Sequence, residues 1–219
     1  GAAQEMHRRW FESHMSKFNL SYKNRSDEFH GIGIAGPKSR DLFQKIVRED
    51  VSNNNFKFRD SRRMFVAGVP AIVNRISFTG ELGYEIFCFG HETDHVSLWD
   101  KITSVGNKYG MEFSSTRSIT IRRIEAGILG NLTDIDTTIT PFQAGLDSIV
   151  DLDKDYFVGQ KALLNSDKST LLFGFKCSEK TPSSGSVIIH DDEEEVFARL
   201  FVDGSNFFSH PGSFQHLSY

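Results

Sequence analysis

Residues 62–90 read RRMFVAGVPAIVNRISFTGELGYEIFCFG, and this stretch decides the fold. Residues 62–78 carry two apolar runs joined around Gly68 to Pro70, which predict two strands linked by a tight turn. Gly80 and Gly83 mark a second tight connection, and residues 84–90 predict a further strand. Strands that follow one another through such short turns pair antiparallel, because a parallel pair needs a long crossover. By alternation from Ile86 and Cys88, Glu85 falls on the outward face of its strand.

Upstream, HGIGIAG (30–36) reads as a buried strand. Pro37 then stands where a first helical turn tolerates it, and KSRDLFQKIV continues as a helix with Leu42, Phe43, Ile46 and Val47 on one face. Residues 91–110 predict another helix, ending near Gly110. The succession strand–helix–strand–strand–strand–helix over residues 28–110 predicts an α+β layer of ferredoxin-like kind, a mostly antiparallel sheet with two helices packed on it. Near the N-terminus, Met6, Trp10, Phe11, Met15 and Phe18 stand close to helical spacing and predict a short amphipathic helix over 4–18. Downstream, Ile119, Ile121, Ile124 and Ile128 predict a helix over 118–129. An irregular loop around Pro141 follows, and residues 148–164 read as a strand, a polar turn and a helix. From Thr170 the runs LLFGFKC, SVIIHD and EVFARLFVDG predict short strands of a separate β module.

Charge and composition exclude several classes. Net charge is −4 with a pI of about 6.1, which argues against non-specific nucleic-acid binding and against an anionic membrane surface. No apolar run approaches the roughly 18–20 residues that span a bilayer. The first residues lack an apolar signal core, so a cytoplasmic protein is expected. Cys88 and Cys177 lie far apart and read as two buried, reduced thiols. His91 and His95 share a helix face, but no third ligand stands with them, so no metal is expected. The acidic run Asp191–Glu195 reads as a solvated hairpin turn. Gly31-Ile32-Gly33 followed by Gly36 does not have the spacing of a dinucleotide loop.

Two blocks carry a family likeness. Thr79-Gly80-Glu81-Leu82-Gly83-Tyr84-Glu85 fits the pattern T-G-E-x-G-[FYW]-E, and Arg123-Ile124-Glu125-Ala126-Gly127 fits R-[IL]-E-x-G, followed by Asp134-Ile135-Asp136. With the linking text IAGPKSRDLFQKI and DKDYFVGQKALL, the chain resembles the glycine-cleavage T-protein (aminomethyltransferase) family from about residue 28 to about residue 168. The variant at the C-terminal end of dimethylglycine and sarcosine dehydrogenases is the nearest in pattern. The resemblance implies tetrahydrofolate as cofactor and Glu85 as the carboxylate that accepts the two N–H donors of the pterin edge. Read without it, Glu85 is one solvated charge on an edge strand. Phe78 stands where most members carry Tyr. It keeps the aromatic face and loses a hydrogen bond of about 1 kcal/mol; as a plain residue it reads as core. Arg117, eight residues before Glu125, is implied as the cation for the folate glutamate tail, with Arg122 and Arg123 as alternatives; each of the three reads at least as well as a surface salt-bridge residue. The blocks 123–127 and 134–136 read as structural, held by hydrogen bonds. Gln143 departs from the usual Glu.

The expected organisation is therefore a T-protein-like layer over 1–110, a folate-site helix and loop segment over 111–168, and a partial β-barrel module over 169–219. Members of the family extend much further on the N-terminal side and carry an acidic residue there, so a fragment is expected, in which binding can outlast catalysis. Apolar surface left open would then be covered by self-association into a homo-oligomer. In the family, folate nitrogens attack a one-carbon unit delivered by a lipoyl carrier protein or by an FAD domain. The implied function is tetrahydrofolate-dependent one-carbon transfer; the alternative is a non-catalytic regulatory or interaction module of the same fold.

Overall fold

The computed structural model describes residues 4–90, 93–174, 188–190 and 194–196. Two compact units divide the chain, one spanning Gln4–Ile128 and one built from Leu129 onward.

The first unit holds the expected antiparallel α+β layer. Its strands are β1 (Phe29–Ala35), β2 (Ser61–Val66), β3 (Val69–Asn74) and β4 (Gly83–Phe89). They form one sheet in the order β1-β4-β3-β2, antiparallel throughout. β2 and β3 are joined by Ala67 and Gly68, with φ of 51° and 88°. Positive φ at both central residues is the two-residue hairpin turn whose twist matches that of the strands. The turn thus lies a little before the expected Gly68–Pro70, and Pro70 falls inside β3. It precedes the first β3–β4 pair, Ala71 with Cys88, so the strand has a partner on one side only where the proline lacks an N–H.

Two helices cover one face of this sheet. α1 (Gln4–Met15) is not one of them, for none of its residues is buried, and its order comes from the exposed Glu5–Arg8, Glu5–Arg9 and Arg8–Glu12 pairs. α2 (Ser39–Gln44) and α3 (His95–Gly106) supply Leu42, Phe43, Leu98 and Ile102 to the core. The sheet answers with Ile34, Met64, Val66, Val73, Tyr84, Ile86 and Cys88, the alternate residues of each strand. Tyr84 is fully buried and stacks on Phe43 at 4.3 Å between ring centres. Each such apolar side chain contributes roughly 1.5–3 kcal/mol on burial. The Cys88 thiol is free and buried, and burial pushes its pKa up.

α4 (Thr116–Glu125) starts two residues before the expected position because Ser115 caps it, accepting the Ser118 N–H at 3.2 Å. It stops at Gly127, whose φ is 68°. The Gly127 N–H donates to the Ile124 carbonyl and the Ile128 N–H to the Arg123 carbonyl, which closes the helix with a left-handed glycine.

In the second unit the expected strand near 148–153 does not form. Asp147–Ile149 is a single 3-10 turn, and α5 (Gln160–Leu164) follows as expected. Of the C-terminal module, only the antiparallel pair β5 (Ile188–His190) and β6 (Glu194–Val196) is described; Glu194 and Glu195 of the acidic run belong to β6, and the rest of the run lies outside the described residues. Residues 171–174 are not a strand. Most of the expected β-barrel module and Cys177 lie outside the described residues.

Gly80 ties the two sequence blocks together. A Cβ built on it would lie 2.3 Å from the Ala126 Cβ, and its φ is 75°. Gly80→Ala is therefore expected to cost about 1–3 kcal/mol through overlap and an unfavourable backbone conformation. Thermal unfolding followed by circular dichroism checks this. Adding Ala126→Gly should return the part due to overlap and leave the part due to φ.

Candidate functional site

The face of the sheet opposite the helices carries the other half of β4. Period-two alternation puts Glu85, Phe87 and Phe89 there once Tyr84, Ile86 and Cys88 point into the core. β4 is an interior strand with β1 on one side and β3 on the other, so Glu85 is not on a sheet edge, and it is half-buried.

Register builds the surroundings of this carboxylate. Gly33 of β1 is its partner on one side and Asn74 of β3 on the other. A side chain on Gly33 would meet none of the described residues within 4 Å, so among them the ground beside Glu85 is open there. In the next row Phe87 pairs with Gly31 and Ile72, and its ring edge lies 3.3 Å from where a Gly31 Cβ would be. At the other end Gly83 has the Ser77 Cβ 2.7 Å from its own missing Cβ, so the β3–β4 connection closes over that glycine. The open ground over Gly33 is thus bounded by the Phe87 ring and by the Ser77 segment.

The electrostatics follow from that setting. Burial pushes the Glu85 carboxyl above its ordinary value of 4.5, and the side-chain amide of Asn74, its cross-strand partner, pulls it partly back. No cation contributes to either effect. The site is a carboxylate short of solvent, with no ion-pair partner among the described residues.

Phe78 follows Ser77 in the β3–β4 connection. It is 44% exposed, so it is not a core residue. The connection is held by the Ser77–Thr79 hydroxyl pair at 2.6 Å and by the Thr79 N–H on the Ser77 Oγ at 3.2 Å. Glu81, in the same turn, is exposed. Arg117 lies in the first turn of α4, exposed and without an ion pair among the described residues. Ala126, which touches Gly80, is nine residues further on, so Arg117 stands about 13 Å along the helix from that contact. Of the three predicted residues, Glu85 lies on β4, Phe78 in the connection that leads into it, and Arg117 on α4. The alternatives to Arg117 have other work. Arg122 pairs with Glu125 at 3.4 Å on the surface, and buried Arg123 donates to the Ile128 carbonyl at 3.2 Å.

The blocks read as structural behave so. Asp134 accepts the Gly130 N–H at 2.6 Å, and Asp136 accepts the Thr138 N–H at 2.8 Å. Gln143 accepts the Thr140 N–H at 2.9 Å and donates from Nε2 to the Thr170 hydroxyl at 2.7 Å, a donor that a carboxylate lacks. Among the described residues no group of three His, Cys, Asp or Glu side chains is placed to hold a metal, and His91 lies outside them. Sequence reading passed over Asn74 and Gly33 as neighbours of Glu85. Their signal lay in the pairing register, which no residue type announces.

The chain was compared with known proteins. The family model described as the GCVT N-terminal domain matches residues 1–154. Human mitochondrial dimethylglycine dehydrogenase is 34% identical over 167 residues, covering 74% of this chain and 19% of that protein. The aminomethyltransferase of Thermoanaerobacter pseudethanolicus is 30% identical over 191 residues, covering 85% of this chain and 51% of that protein. That of Caldanaerobacter subterraneus is 33% identical over 172 residues, covering 77% and 45%. The chain spans about half the length of these aminomethyltransferases and about a fifth of the dehydrogenase. With its T-G-E-x-G-Y-E turn packed on the R-I-E-A-G helix end, and with a family model matching well over half its length, the chain belongs to the glycine-cleavage T-protein family, through its GCVT N-terminal domain.

Proposed function

We propose that the chain binds tetrahydrofolate on the open sheet face through Glu85, as a domain of one-carbon transfer. One observation carries this reading: Glu85 is a partly desolvated carboxylate on an interior strand, without a cation among the described residues and beside open ground over Gly33. Such a group costs stability until two parallel donors reach it, and a flat ring edge with two N–H groups supplies them. The names of the relatives, aminomethyltransferase and dimethylglycine dehydrogenase, support the reaction class.

The chain's own residues bind and orient. Glu85 takes the donor edge, the backbone over Gly33 gives the ring a floor, and Phe78 offers an aromatic wall without a hydroxyl. Arg117 takes the carboxylates of the folate tail, away from the ring. Tetrahydrofolate, when bound, supplies the nucleophilic nitrogens that accept the one-carbon unit. The protein's contribution is position and exclusion of water. We read the layer as the antiparallel-sheet part of the T-protein fold; its three successive strands β2, β3 and β4 before α3 depart from the strand–helix–strand–strand–helix–strand order of a ferredoxin-like layer. A lipoyl carrier or an FAD domain is the proposed donor partner, and a second copy of the chain the proposed cover for exposed side chains such as Phe65 and Phe113.

Titration calorimetry with tetrahydrofolate tests the binding. Glu85→Gln places a donor against a donor, and losing one partner of a charged pair costs on the order of 2–5 kcal/mol, a fall in affinity of at least about 30-fold. Glu81→Gln, on the exposed turn, should leave affinity near that of the unaltered chain. Gly33→Val should abolish binding by filling the open ground. A chain that binds no folate leaves the interaction-module reading in its place.

The pH dependence of stability provides a second check. Because the folded Glu85 pKa is raised above 4.5, the folded chain holds the proton where the unfolded chain has released it. Stability therefore falls as pH rises through that window, and the loss is complete above the folded pKa. Glu85→Gln should be more resistant to urea than the unaltered chain near pH 7, and the difference should vanish near pH 4.

A further inference from the structure

A second charged cluster in the first unit lies among residues that the Glu85 site does not use. Arg40 of α2 and Arg75, just after β3, both reach the side chain of Asn53. Arg40 Nη2 donates to Asn53 Oδ1 at 2.5 Å, and Arg75 Nη2 donates to the same oxygen at 3.0 Å. The Nε of each arginine is buried and has no hydrogen-bond partner among the described residues. Neither guanidinium is in an ion pair among the described residues.

The acids of the neighbouring loops are already engaged. Asp50 accepts the Ser52 N–H at 2.8 Å and the Asn55 amide at 2.5 Å. Asp60 accepts the Lys57 N–H at 2.9 Å and the Arg62 guanidinium at 3.1 Å. The arginines are also held in place. The Arg75 N–H donates to the Asp60 carbonyl at 2.8 Å, and its carbonyl accepts the Arg59 N–H at 3.0 Å. Arg40 is carried by a helix packed into the core.

This arrangement is half complete. The Nε and Nη2 hydrogens of a guanidinium point along one edge as a parallel fork, which matches two oxygens of a carboxylate or phosphate. Here both forks are engaged only at Nη2, by one neutral oxygen shared between two like charges. A buried donor left without an acceptor costs free energy, and unfilled pairs of this kind call for an ion or a water. Asn53 is exposed on a turn, so its side chain is free to leave.

We propose that Arg40 and Arg75 form an oxyanion site, for a carboxylate or phosphate group, in which the Asn53 amide oxygen holds the place of the anion when none is bound. The oxyanion fills both forks and separates the two cations by a negative charge.

The test is a titration of the 219-residue chain with inorganic phosphate and, separately, with acetate, against potassium chloride at matched ionic strength. The arginine Nε–H resonances are followed by nitrogen-15 NMR. Saturable shifts of two Nε–H signals are expected with at least one oxyanion and not with chloride, and the two arms distinguish phosphate from carboxylate as the preferred source. Arg40→Lys keeps the charge and removes the fork, so saturation should be lost. Asn53→Ala removes the competing oxygen, so binding should tighten several-fold, whereas a purely structural Asn53 would weaken it. If neither oxyanion moves the Nε–H signals of the unaltered chain or of a folded Asn53→Ala variant, the proposal is overturned.

Discussion

Alternation along β4 is the constraint on which the rest depends. Tyr84, Ile86 and Cys88 are buried beneath α2 and α3, and the pleat then leaves Glu85, Phe87 and Phe89 no place but the opposite face. Core and candidate site are two sides of one strand. A register slip of one residue would put a carboxylate against Phe43 and expose Tyr84, which the stacked ring pair at 4.3 Å excludes.

The second constraint is distance of approach. The turn before β4 and the end of α4 come together where neither can carry a larger side chain, Gly80 against Ala126. The left-handed glycine that ends α4 sets the path of the next residues, and Arg123 bonds Ile128 from both its carbonyl and its guanidinium. The two sequence blocks that mark the family thus hold one another. Their glycines serve the turn and the close contact, and their charged residues divide between holding the chain and facing outward.

The fate of each polar group separates structure from function. Arg123 is buried and its guanidinium donates to a carbonyl of its own chain, which ties it to the helix end. Glu85 is partly desolvated, and among the described residues no cation faces it; only the neutral Asn74 amide offsets the effect of burial.

Much of this was legible in the chain. The hairpin glycines, the strand alternation and the helix caps made the antiparallel layer readable, because turn chemistry and period act over a few residues. The outward direction of Glu85 came from the same counting. The interior position of β4 did not, since strand order depends on pairs distant in sequence: Gly33 meets Glu85 across more than fifty residues. Phe78 read equally well as core or wall, and only packing places it on the surface. Arg117, Arg122 and Arg123 could not be told apart as sequence, because a guanidinium's role depends on what lies opposite it, and tertiary structure alone buried one, paired another on the surface and left the third at the far end of the helix. Local periodicity and the motif determined the layer and the carboxylate; long-range pairing and burial decided its neighbours and the ground beside it.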